Sequence, residues 1–173
     1  TFLFSRNFAG YQPRQAEWHT LRATRFGRKG QLDAAIAECR AAIAVAPGFP
    51  EAWRLLGHAY LSKGDEPQAI ECYRQAARLD PLDSASRHNL ACLLREKPEQ
   101  LAEATAMARD ACENRGYLNP DTMGILADCY VRQGNASQAI AVLRQAIQVA
   151  QSNDNVAVAR QLQGQLDAMD AAK

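Results

Sequence analysis

Apolar and small residues recur along this chain at helical spacing, in short runs separated by polar breaks. Trp53, Leu56, Gly57 and Tyr60 stand at i, i+3, i+4 and i+7, which places them on one face of a helix. Ala69, Tyr73 and Ala76 stand at i, i+4 and i+7 and mark a second helix. The break between them reads Lys63-Gly64-Asp65-Glu66-Pro67. Gly64 suits the residue that ends the first helix, Asp65 suits an N-cap, and Pro67 is tolerated in a first turn. Pro81 closes the second helix, because it has no backbone donor and clashes with the preceding turn.

The small residues have their own role. Two antiparallel helices approach to roughly 8–10 Å only where one side of the contact is small. Gly57, Ala69 and Ala76 let the pair close, while Trp53, Leu56, Tyr60 and Tyr73 fill the wedge beside them. The same register recurs 34 residues earlier, at Ala23, Phe26, Gly30, Ala35, Ala42 and Pro47. A fixed period of this kind describes one helix-turn-helix unit copied along the chain.

The spaced set in residues 50–83 resembles the tetratricopeptide repeat in residue type, register and length. The resemblance implies an all-α fold, a right-handed α-solenoid of four antiparallel helix pairs with a C-terminal capping helix. The expected repeats are 16–49, 50–83, 84–119 and 120–153, followed by a capping helix and tail at 154–173. The first copy carries His19 and Arg22 where the family prefers Trp and Leu, an end effect on a helix with no preceding repeat. The third has Asp83 as a cap, then Leu90, Ala91, Leu94, Ala104, Ala108 and Ala111. Its register slips by one residue near Lys97-Pro98-Glu99-Gln100, and Gly116 replaces the closing Pro as a helix stop. The fourth starts at Asn119-Pro120 and continues through Leu126, Ala127, Tyr130, Gly134, Ala139, Leu143 and Ala146, with Asn135 as a second cap. Val156, Ala159, Leu162, Leu166 and Met169 form the apolar stripe of the last helix, with Asp154 as its expected cap. Residues 1–15 form an aromatic arm (Phe2, Phe4, Phe8, Tyr11), where Pro13 argues against a long helix.

A net charge of +1 does not supply the basic field of a nucleic-acid surface, so no nucleic-acid partner is expected. No apolar run approaches the roughly 20 residues that cross a bilayer, and no signal peptide is visible. The chain starts at Thr1, as a piece of a longer protein would, and Phe2-Leu3-Phe4 could border a preceding membrane segment. The abundance of Arg and Ala suits a bacterial genome. The five cysteines include no Cys-x-x-Cys pair and all fall in predicted helices, which favours small buried residues in a reducing, cytoplasmic setting. A periplasmic location follows if a membrane segment precedes the fragment.

His88 and Cys92 share a helix face, and His58 holds the equivalent of Cys92 one repeat earlier. A zinc site drawn from these three lacks a fourth ligand, so no metal is expected. No nucleophile elbow or Gly-rich phosphate loop appears, so neither catalysis nor a cofactor is expected.

The first helix of each repeat lines the concave side of such a stack, and its residues not used for packing are the candidate partner site. By register these are Thr20, Thr24, Arg54, His58, Leu61, His88, Asn89, Cys92, Arg95, Gly124, Asp128 and Arg132, with a cationic centre at Arg54 and Arg95. Some members of the resembled family clamp acidic C-terminal tails with Lys and Asn. Arg54 and Asn89 fit two of those positions, whereas His58, Asp121 and Ile125 depart from the others. The expected partner is a protein or peptide, with a preference for an acidic or C-terminal segment, since Arg forms paired hydrogen bonds to carboxylate. The arm at residues 2–11 is a second candidate occupant of its own or a neighbouring groove. The first reading is a non-catalytic interaction scaffold. The second is a regulatory or substrate-positioning segment of a larger bacterial enzyme, which could be membrane-bound.

Overall fold

The computed structural model describes residues 12–171; the aromatic arm at 1–11, and with it the idea that the arm occupies a groove, lies outside them. The described residues form nine α-helices, one 3-10 turn and no strand. The described residues divide into two compact units, 12–81 and 82–171.

The first unit holds α1 (Gln12–Arg28), α2 (Leu32–Val45), α3 (Pro50–Ser62) and α4 (Glu66–Leu79). Helix α1 begins at Gln12, inside the stretch expected to be an arm, because a proline in the first turn costs no helical hydrogen bond. The pairs α1/α2 and α3/α4 close on small residues: Ala23, Ala35 and Ala42 in one, Gly57, Ala69 and Ala76 in the other, all buried. Ala16, Ala42 and Ala52 pack together beneath Ile43 and Phe49, joining the second helix of one pair to the first of the next. Gly64 takes φ +81° and ends α3, and the Asp65 carboxylate accepts from the Gln68 amide to start α4. At the outer pair, Glu38 meets both His19 Nδ1 at 2.7 Å and Arg22 Nη2 at 3.0 Å. The two departures from the repeat pattern therefore replace an apolar contact with a polar clasp.

The second unit holds α5 (Ser84–Leu94), a 3-10 turn (Pro98–Gln100), α6 (Leu101–Asn114), α7 (Pro120–Arg132), α8 (Ala136–Ser152) and α9 (Val156–Ala171). The 3-10 turn absorbs the register slip before α6. Asp83 caps α5, Asn119 caps α7 and Asn135 caps α8, each accepting from amides of the first turn. After α6 both Gly116 and Tyr117 adopt left-handed backbone (φ 60° and 57°), so the stop there is two residues long. Asp154 does not cap α9. It takes φ 54° as the left-handed residue that ends α8, and Asn155 caps α9 by accepting from the Val158 amide. One apolar core runs through this unit from Ala91 and Ala108 past Met123, Leu126 and Leu143 to Leu162 and Leu166. Helix α9 thus covers the apolar edge that α7 and α8 would otherwise expose.

Among the described residues no helix is long and apolar enough to cross a membrane.

Candidate partner-binding surface

In the first unit the candidate side chains are largely engaged with their own helices. Thr20 is buried and donates to the Glu17 carbonyl, and Thr24 donates to the Thr20 carbonyl. Arg54 is not an open cation: its guanidinium forms a forked pair with Glu51, with Nη2 at 2.6 Å and Nε at 3.0 Å. Its Nη1 also lies 3.4 Å from His58 Nε2, while His58 Nδ1 lies 3.1 Å from the Tyr73 hydroxyl. Leu61 is exposed. Thr24 and His58 share a cleft of about 240 Å³ with Ala23, Cys39 and Ala59. Its walls are mostly apolar.

In the second unit α5, α7 and α9 form the walls of a larger cavity, about 550 Å³. His88, Arg95, Gly124, Asp128 and Arg132 from the candidate set all line it, together with Asp121 and Ile125. Asn89 and Cys92 lie on α5, both half-buried, but do not line it. Gly124 was expected as an open groove residue. It is buried, and a Cβ there would stand 2.9 Å from Leu162 Cδ2, so it serves to seat α9.

The charges in this cavity form a closed ring. Asp128 Oδ2 lies 3.4 Å from Arg95 Nε and 3.1 Å from Arg132 Nε. Glu96 Oε1 lies 3.4 Å from Arg95 Nε and 2.9 Å from Arg132 Nη2. Two guanidiniums thus alternate with two carboxylates; of the expected cationic centre, Arg95 is paired in this ring and Arg54 with Glu51. His88 sits at the other end, with Nδ1 2.9 Å from the Thr122 hydroxyl and Nε2 3.6 Å from Cys92 Sγ. Burial lowers the His88 pKa and raises that of the Cys92 thiol, so both are neutral near pH 7 and the thiol is a poor nucleophile. The cavity floor is apolar, made by Ile125, Val158 and Leu162, and Gln161 and Gln165 supply amide groups at the rim. Among the described residues no three His, Cys, Asp or Glu side chains come together to hold a metal.

Glu96, Gln161 and Gln165 were not recognised as part of this surface from the sequence. Glu96 follows the end of α5, where helical register no longer gives a direction. The two glutamines lie on the polar side of a helix identified only as a lid.

Comparisons with known proteins point to one repeat family. Residues 20–84 match a family model described as tetratricopeptide repeat, and residues 120–153 match a second model with the same description. The "Small glutamine-rich tetratricopeptide repeat-containing protein 2" of Mycosarcoma maydis is 31% identical over 104 residues, 60% of this chain. The match spans only 29% of that relative's length. Among solved structures, MamA from Desulfovibrio magneticus RS-1 is similar at TM-score 0.69 and 13% identity, covering 92% of this chain and 97% of that one. PilF of Pseudomonas aeruginosa is similar at TM-score 0.67 and 15% identity, covering 91% of this chain and 78% of that one. At these identities the likeness bears on the fold alone.

Proposed function

The chain belongs to the tetratricopeptide repeat family, and from that premise we propose that this interaction scaffold holds a partner protein by a peptide segment seated between α5, α7 and α9. Proteins of this family bind protein partners, and the fold is typically non-catalytic. One observation carries the finer reading: a cavity of about 550 Å³ built on the first helices of two repeats and on α9, with an apolar floor and a polar rim. A floor of Ile125, Val158 and Leu162 suits one apolar side chain of a ligand. Gln161 and Gln165 can donate to and accept from its backbone. An acidic or C-terminal segment is the proposed class of partner if its carboxylate takes the place of one that pairs with Arg95 and Arg132 in the free chain, where Glu96, Asp121 and Asp128 line the same cavity. The comparisons speak only to the scaffold; the seat rests on this geometry.

Gln161→Trp fills the cavity from an exposed position, and Arg144→Trp places the same bulk on exposed α8 away from it. In a pull-down from the cells that express the protein, the first change should abolish capture of the partner and the second should leave it intact. Equal retention by both variants would overturn the seat.

A further inference from the structure

Helix α1 presents two opposite sides. Ala16, Thr20 and Ala23 are buried on one of them. The other carries Arg14, Trp18, Leu21, Arg25 and Arg28, with Lys29 directly after the helix, and all six are exposed. Alternating steps of four and three residues place the five helical positions on one strip, with the apolar groups between the cations. Trp18 is 52% exposed and Leu21 70%.

Few acids stand near this strip. Glu17 lies at its edge, and Glu38 on α2 is already engaged by Arg22 at 3.0 Å and by His19. Asp33 on α2 is paired with Lys63. Among the described residues no ion pair engages Arg14, Arg25, Arg28 or Lys29. With Arg22, Glu17 and Glu38 all counted, this side of the chain carries a net charge of +3. Helix stability does not account for it. Arg14 stands in the first turn, where the helix dipole disfavours a cation, and that turn holds no acid. The wider composition has the same bias: residues 1–29 hold six Lys and Arg against one acid, and six of the twelve aromatic residues, in a chain of net charge +1.

We propose that this side of α1 rests on the surface of an anionic lipid bilayer, with Trp18 and Leu21 entering the interfacial layer and the four unpaired cations meeting lipid phosphates. Charge complementarity selects the occupant. A second copy of the chain would set like charges against each other, and residues 1–11 add Arg6 and no acid, so neither supplies the missing negative charge. A nucleic acid would satisfy the cations and leave Leu21 in water. A bilayer surface satisfies both groups, because tryptophan and leucine gain from the headgroup boundary that arginine and lysine seek. This contact is independent of the peptide seat, which lies in the second unit.

Sedimentation of the full chain with lipid vesicles tests the assignment. Vesicles of equal parts phosphatidylglycerol and phosphatidylcholine should bind it at least about tenfold more tightly than phosphatidylcholine alone. Arg14→Gln combined with Arg25→Gln should weaken that binding about 25-fold, roughly fivefold for each cation. Leu21→Gln should weaken it about fivefold through the lost apolar contact. Arg144→Gln with Arg160→Gln makes the same change of charge at exposed positions on α8 and α9, and should leave binding within about twofold of the wild type. All five substituted side chains are exposed, and an unchanged thermal midpoint separates lost binding from lost fold. No binding to the anionic vesicles, or equal weakening by the two arginine pairs, overturns the proposal. Tighter binding of polyuridylate than of the vesicles also overturns it and assigns the strip to nucleic acid.

Discussion

Gly57 faces the ring of Tyr73 so closely that a Cβ built on it would lie 2.8 Å from Cε1. Tyr73 is fully buried and its hydroxyl is held at His58, so the ring has no room to retreat. Gly57→Ala gains about 1 kcal/mol of helix propensity. Overpacking against an immobile ring costs about 1–3 kcal/mol. A net loss is expected, read as a lower denaturant midpoint with an unchanged slope.

Gly124→Ala provides the contrast. Its contact at 2.9 Å is Leu162 Cδ2, the far end of a flexible side chain that can rotate away. Strain and propensity should nearly cancel, leaving stability within about 0.5 kcal/mol of the wild type. A loss as large as that of Gly57→Ala would mean α9 is packed more tightly than its geometry indicates.

Ala69 is completely buried where α4 meets α3. Ala69→Leu should overpack that contact and cost about 1–3 kcal/mol by chemical denaturation. An unchanged midpoint would show that the pair can open without penalty.

The Asp83 carboxylate receives two amides of the first turn of α5, from Ala85 and Ser86, each at 3.1 Å. Asp83→Ala should cost about 1 kcal/mol, and Asp83→Asn should restore most of it, because the amide oxygen still accepts. Equal loss for both changes would assign the effect to charge instead of capping.

Burial pushes the thiols of Cys39, Cys72 and Cys112 up to about 12, and that of Cys129 up to about 11, from an ordinary 9.0. Raised values favour the protonated form in the folded chain. Their contribution to stability is complete below pH 9 and is lost as pH rises through 9 toward 12. The thermal midpoint should therefore fall with alkaline pH from about pH 9 upward. At pH 8 a thiol reagent should modify the half-buried Cys92 first and reach all five thiols only in denaturant. Rapid modification of all five in the native chain would contradict the packing.

The parts legible in the sequence are those decided within a few residues of the chain. Asp65, Asp83, Asn119 and Asn135 cap as their positions suggest, since a cap reaches only its own first turn. The small residues of each pair were readable because close approach demands them at fixed register. Asp154 was misassigned because two adjacent polar residues, Asp154 and Asn155, can each cap, and only the backbone turn decides between them. Arg54 seemed an open cation although Glu51 stands three residues before it, a spacing that already permits a pair. The ring at Arg95, Glu96, Asp128 and Arg132 could not be read in advance. It joins a residue beyond a helix end to one 36 positions later, and no local periodicity records that meeting.

A photo-cross-linking amino acid placed at Gln161, with Arg144 as the control position, tests the central claim most directly. The account predicts a covalent adduct to a partner protein from position 161 and none from 144, with competition by a carboxylate-bearing peptide. Adducts from 144 alone, or equally from both, would contradict a partner seat between α5, α7 and α9.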